Sequence, residues 1–371
     1  MAYTTIDDPS AYFQTKTYTG SAGAQSITFD GNSNLQPDWI WIKERGATGG
    51  HVVTDTVRGI SASSAPFLQP SSTGAEIEPN GTVANRTLTS SNTNGFTLGQ
   101  DAYYTNFNNN SDTYVSWNWK AGTSFTNDAS ATSVGTIDSS GSVSTDAGFS
   151  IITWTGNATS SQSVAHGLGA VPKVILTKNT DNGSQPWKCY FEAVGNTKYL
   201  QLNATDTPAT SGVWSNTTPT SSIISISNDT GINGSGNTIL AYCFAEKQGY
   251  SKFTNFTGNG SATDGTFVYL GFRASFVIIK RTDTSANWQM YDNKRDGYNG
   301  AGYPAKGNES LRPNNTDAES SATGYDIDIC ANGIKLRNSS STMNSSGASH
   351  IVMAFAESPF VTSTGIPTTA R

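Results

Sequence analysis

Apolar residues in this chain fall in short runs, and the runs recur in a fixed order. Trp39-Ile40-Trp41-Ile42-Lys43 is apolar at every position but its last, and the same pattern returns as Val174-Ile175-Leu176-Thr177-Lys178 and Phe276-Val277-Ile278-Ile279-Lys280. Each is followed by a second strand: His51-Val52-Val53, Trp187-Lys188-Cys189-Tyr190-Phe191, Trp288-Gln289-Met290-Tyr291. A short apolar stretch comes next, as Phe67-Leu68-Gln69-Pro70, Tyr199-Leu200-Gln201-Leu202 and Ser310-Leu311-Arg312-Pro313. A closing strand ends each unit: Tyr114 to Trp119, Leu240 to Phe244, Ile351 to Phe355. Four landmarks in one order, three times, predict three similar units. At roughly 100–135 residues each, the units exceed solenoid repeats and are large enough to bury cores of their own.

Alternation within the closing strands sets large side chains against small ones. Trp117 and Trp119 point one way, Ser116 and Asn118 the other; Tyr242 and Phe244 oppose Ala241 and Cys243, and Met353 and Phe355 oppose Val352 and Ala354. Such a strand suits the middle of a sandwich, with another layer close to its small face. The first strand of each unit is apolar on both faces, as a doubly covered strand would be. Gly, Asn, Ser and Thr interrupt every candidate helical period. The pattern predicts an all-β protein of three tandem β-sandwich domains, jelly-roll or concanavalin-A-like. Domain one spans 1–122, with an N-terminal leader; 123–147 reads as a Ser/Thr/Gly-rich linker with at most an edge strand around Val134–Ile137; domain two spans 148–248; domain three spans 249–371, with a C-terminal tail. Each domain opens on an aromatic-Thr-Gly triplet at Tyr18, Trp154 and Phe256, where glycine is expected to supply a positive φ.

Composition narrows the function classes. Only 13% of the 371 residues are charged, about half the usual share. Eight Trp, fifteen Tyr and sixteen Phe nevertheless supply too much apolar area to leave wet. Net charge is −6 with no basic run, so no nucleic-acid footprint is visible. No stretch approaches a membrane helix, and the acidic start Met1 to Asp8 is unlike a signal peptide, which predicts synthesis in a cytoplasm without membrane insertion. Cys189, Cys243 and Cys330 are scattered, without metal spacing, and Cys243 reads as a small buried thiol.

Candidate chemistry is sparse. His51, His166 and His350 fall in three different units; His166-Gly167-Leu168-Gly169 could present its imidazole to a ligand, but reads better as a tight turn. Glu246 and Glu357 share a repeated Phe-Ala-Glu ending, the arrangement a carboxylate pair would need, yet they read as strand ends facing solvent or pairing with Lys178 and Lys280. Asn108-Asn109-Asn110-Ser111-Asp112 and Asp326-Ile327-Asp328 gather oxygen ligands of the type calcium takes, though neither matches an EF-hand loop; hairpin turns and strand alternation explain both. Asn-x-Ser/Thr triplets such as Asn203-Ala204-Thr205 and Asn338-Ser339-Ser340 follow from composition. No catalytic, cofactor or metal residue is assigned.

Several segments resemble a family of marine bacteriophage virion proteins, cyanophage- and pelagiphage-like, tail-fibre-like and largely uncharacterised. They are Thr4 to Thr15, Gln36-Pro37-Asp38-Trp39-Ile40-Trp41-Ile42-Lys43, Asn94 to Gly99, Trp117 to Gly122, Ala241 to Glu246, Gly249 to Phe253, and the ending Gly365 to Arg371. The resemblance implies a non-enzymatic virion structural protein, a tail fibre or appendage contacting the host surface, and carries over no catalytic residue; the many aromatics and Asn/Ser/Thr loops suit glycan binding. A capsid decoration protein is the alternative, and a polysaccharide-degrading enzyme the third reading. The implied partners are other virion proteins, host surface polysaccharide and further copies of the chain as a homotrimer. The leader through Phe13 and the tail from Phe360 have no repeat counterpart, so neither is expected to complete a sandwich core, and at least one end is expected to serve assembly.

Overall fold

A computed structural model describes residues 4–60, 65–79, 87–100, 105–295, 309–320 and 324–368. The fold is all-β: 42% strand and 5% helix, in several antiparallel sheets. Each unit is built on the same four strands. In unit one, Trp39–Glu44 lies between Thr113–Trp119 and Val52–Asp55, with Phe13–Thr19 beyond the closing strand. Unit two repeats the order with Phe149–Thr155, Thr238–Phe244, Val174–Asn179 and Lys188–Phe191. Unit three repeats it with Ser251–Thr257, Ser349–Pro359, Phe272–Arg281 and Gln289–Asp292. Trp39, Val174 and Phe276 pair with Trp119, Phe244 and Phe355 respectively, so the three positions are equivalent by register.

A smaller sheet backs each of these. It consists of Gln25–Thr28, Gly95–Leu98 and Leu88–Asn92 in unit one, Gln162–Ala165 and Ile223–Ile226 in unit two, and Phe267–Tyr269, Gly333–Leu336 and Ile327–Cys330 in unit three. The small faces of the closing strands meet these sheets. Ala241 and Cys243 pack with Ile224, Ile226 and Trp214, and Val352 and Ala354 with Ile334 and Leu336.

The large faces converge on one another. Phe13, Trp39, Trp41, Trp117 and Trp119 of unit one share a single core with Phe149, Trp187, Tyr242 and Phe244 of unit two and Phe276, Trp288, Met353 and Phe355 of unit three. Ring centroids are 4.3 Å apart between Trp39 and Tyr242, 5.5 Å between Trp119 and Phe355, and 5.8 Å between Phe244 and Phe355. The units therefore close three ways around a common aromatic centre, rather than following one another as a row with separate cores. The cause is area: the small sheet covers only the small face, and the face of Trp and Phe left on the other side is covered by its equals in the other units.

Three expectations change. Residues 123–147 are not a linker: Ser139–Ser144 pairs with Phe149–Thr155 and Thr123–Asn127 pairs with Ser139–Ser144 at the edge of unit two's eight-stranded sheet. Val134–Ile137 is no strand, and only Ile137 makes a single bridge, to Val164. Polar composition concealed this, because a ladder needs only backbone donors and acceptors. Phe13 begins a strand and is buried with Ile6 in the shared core, so the leader does contribute to a core. Gly20, Gly156 and Gly258 of the Thr-Gly triplets do not have positive φ. A Cβ there would overlap the carbonyl oxygen of Asn109, Gly234 or Ser345 respectively, so glycine is required for close backbone approach.

Candidate functional site

The repeated landmarks prove to be the seams between units. Trp187 Nε1 donates to the Gln69 carbonyl at 3.0 Å, and Trp288 Nε1 to the Gln201 carbonyl at 3.1 Å. His51 holds the equivalent position in unit one. Its Nδ1 accepts from Trp41 Nε1 at 3.0 Å. Burial holds this imidazole well below its ordinary pKa, so the ring is neutral. Gln69 and Gln201 belong to the third landmark of units one and two, so two of the three seams are closed by the same tryptophan-to-carbonyl hydrogen bond.

Lys43, Lys178 and Lys280 are fully buried beneath this ring of contacts. Lys178 Nζ donates to the carbonyls of Asn179 at 3.0 Å and Gln185 at 2.9 Å, and across the seam to Thr73 at 2.9 Å. Lys280 Nζ donates to the Arg281 carbonyl at 2.7 Å and across the seam to Thr205 at 3.1 Å. Burial lowers each of the three ammonium groups to about 8. They are backbone clamps, not partners for Glu246 and Glu357, which bind Lys252 at 2.9 Å and Arg273 at 2.5 Å instead.

Two seams also contain an ion pair. Asp55 accepts from Arg58 Nε at 2.6 Å and from Tyr242 of unit two at 2.8 Å. Asp292 accepts from Arg295 Nε at 2.7 Å and from Trp117 Nε1 of unit one at 3.0 Å. At the third seam the equivalent residues are Phe191 and Val194, and the residue equivalent to Trp117 and Tyr242 is Met353. Where the donor is missing the carboxylate and guanidinium are missing too, as the cost of an unpaired buried charge requires.

The remaining candidates resolve as structure. Asn108 is one of three equivalent buried asparagines. Asn108, Asn233 and Asn344 accept from the backbone N–H of Ser21, Asn157 and Asn259, at 2.9, 2.9 and 3.1 Å. Their amides donate to loop carbonyls, those of Gly23 and Gly99, Thr159 and Ser227, and Ser261 and Asn338. Asp328 binds Arg337 at 2.5 Å, and Asp326 accepts from the Gly324 N–H. Among the described residues no group of three or more His, Cys, Asp or Glu is placed to hold a metal. His166 is a turn histidine, facing the Thr220 carbonyl at 3.1 Å and pushed down to about 4 by burial. His350 stacks on Phe256 at 4.6 Å, its ring nitrogens against the Ala348 and Thr342 carbonyls. Cys243 is buried, its thiol pushed up to about 12. The only signal that could have marked the asparagines is the three-unit alignment, and it is weak because Asn is common throughout.

One open cleft stands apart from this locked interior. It lies where unit two passes into unit three, lined by Glu246, Gln248, Lys252, Tyr269, Gly271 and Phe360. Lys252 Nζ and a Glu246 oxygen are 2.9 Å apart, and the other Glu246 oxygen accepts from the Phe253 N–H at 3.1 Å. Phe360 N donates to the Gly271 carbonyl at 3.3 Å, which draws the C-terminal tail in as one wall. The arrangement pairs an exposed aromatic ring with a preset donor and acceptor, suited to holding a ligand rather than to transferring a group. Sequence reasoning passed over Tyr269, because a lone exposed aromatic carries no pattern.

A family model described as a domain of unknown function, DUF7483, matches residues 8–359. No curated protein matches the chain, and no solved structure does.

Proposed function

The chain belongs to the DUF7483 family. We propose that it is a non-enzymatic virion structural protein: a tail fibre or appendage that meets the host surface. The observation that supports this reading best is the single aromatic core shared by three sandwiches, sealed by hydrogen bonds at every seam. Such a body is rigid and resistant to local opening, and it presents three sets of loops outward. The imidazoles of His51, His166 and His350 and the thiols of Cys189 and Cys243 are buried, which suits a display scaffold. In this reading each unit is a jelly-roll-type sandwich. Copies of the chain would associate as a homotrimer through outer surfaces, since the aromatic faces are already covered.

Antibody labelling of intact phage particles tests the proposal. Label on tail appendages is the expected result. Label spread evenly over the head would identify a capsid decoration protein instead, and particles without label would sink the virion reading altogether.

A further inference from the structure

The three units act as controls for one another, and they single out one strand. Gln25–Thr28, Gln162–Ala165 and Phe267–Tyr269 are equivalent strands of the small sheets, fixed in register by Ile27, Val164 and Val268, each buried and each opposite a buried apolar residue, Phe96, Ile224 or Ile334. The positions on either side of that anchor are Ser26 and Thr28 in unit one, and Ser163 and Ala165 in unit two. In unit three they are Phe267 and Tyr269, left 42% and 61% exposed. The fold is satisfied by small residues at both positions, so this aromatic pair is not there for the core.

Both rings lie on one face of the strand, because residues two apart point the same way. Phe267 lies along Gly333, whose missing side chain leaves it room, and the Tyr269 hydroxyl reaches over Gly271 into the cleft that holds Glu246 and Lys252. The tail residue Phe360 closes the cleft at this junction.

We propose that Tyr269, Phe267, Glu246 and Lys252 form a subsite for a pyranose ring of a neutral glycan. The apolar C–H face of the sugar stacks on Tyr269, with Phe267 extending the platform to a neighbouring ring. A hydroxyl at the edge donates to Glu246 and accepts from Lys252, whose 2.9 Å pairing holds both ready. This rests on the surface-contact reading above and gives it a location.

The experiment uses the full chain on an immobilised array of glucose, galactose, mannose and xylose oligosaccharides. The wild type is compared with the double variant Phe267→Ser, Tyr269→Thr, which installs the residues of unit one. Retention of at least one oligosaccharide by the wild type, reduced tenfold or more in the variant at an unchanged thermal midpoint, is the expected result. No retention by the wild type, or equal retention by both, overturns the proposal. So does concentration-dependent self-association of the wild type that the variant loses, since the patch would then join copies of the chain. Labelled appendages with no glycan retention would overturn this subsite and leave the appendage reading standing; glycan retention with unlabelled particles would do the reverse.

Discussion

Asn344 shows how much one side chain can hold here. It accepts from Asn259 N–H and donates to the carbonyls of Ser261 and Asn338, tying two loops to the end of a strand. Asn344→Ala strands several buried groups at once, so a loss of about 2–4 kcal/mol is expected. Urea unfolding reads it as a lower midpoint with an unchanged slope. The buried titratable groups set a pH profile. His51, His166 and His350 have folded pKa values below their unfolded 6.5, so the unfolded chain binds protons first as pH falls. Their contribution is complete above 6.5 and is lost on descending from there toward the folded values, about 4 for His166. The three lysines, lowered to about 8 from 10.5, act at the other end: between 8 and 10.5 the folded state binds fewer protons, so stability rises with pH. Tyr242, Tyr250 and Tyr291 are raised above 10, so stability falls once the unfolded tyrosines ionise. Thermal midpoints measured across this range are expected to decline below 6.5 and to peak between about 8 and 10. A peak at neutrality followed by a fall through pH 9 would contradict the clamped lysines.

At the scale of elements, the seams carry their own experiment. Asp292→Phe alone removes the nearer of the two carboxylates at Arg295, leaving Glu319 at 3.5 Å, and strips Trp117 of its acceptor, so about 2–4 kcal/mol should be lost. Adding Arg295→Val and Trp117→Met recreates the set found at the third seam, Phe191, Val194 and Met353. The triple variant is expected to be more stable than the single one by at least about 1 kcal/mol, a coupling that denaturant unfolding of the series resolves. Additive losses would mean the third seam is not an apolar version of the other two. The strands Thr123–Asn127 and Ser139–Ser144 show where element prediction failed: their Ser, Thr and Gly residues alternate no hydrophobicity, so nothing in the local pattern distinguishes a ladder from a coil.

For the whole molecule, the shared core makes the units interdependent. Residues 123–248 alone would expose Phe149, Trp187, Tyr242 and Phe244, so this fragment is expected to aggregate or stay unfolded, while the full chain unfolds in one transition by both tryptophan fluorescence and circular dichroism. Three separable transitions would show that the outer cores suffice. The ends meet as well: Ser363 donates to Asp7 through its N–H at 2.6 Å and its hydroxyl at 2.5 Å, joining the last unit to the first. Deleting residues 1–10 removes Ile6 from the shared core and should lower the thermal midpoint by several degrees, whereas deleting 362–371 should leave it nearly unchanged.

Local pattern was enough to make this protein β, to divide it into three like units and to align Trp39, Val174 and Phe276, because a strand's period of two and the order of landmarks are properties of the chain itself. It also sorted the closing strands into large and small faces. What the large faces met was not in the pattern. A run such as Trp117-Asn118-Trp119 states that a face must leave water, without stating whether its own unit or two others will cover it. Only the folded chain brought Tyr242 to Asp55, Trp117 to Asp292 and the tail to Asp7, since those partners lie far apart in sequence and are selected by geometry after the units dock. The cleft at Tyr269 was hidden for the same reason: it is assembled from a junction, a strand edge and the tail, and becomes a place only when three distant segments close around it.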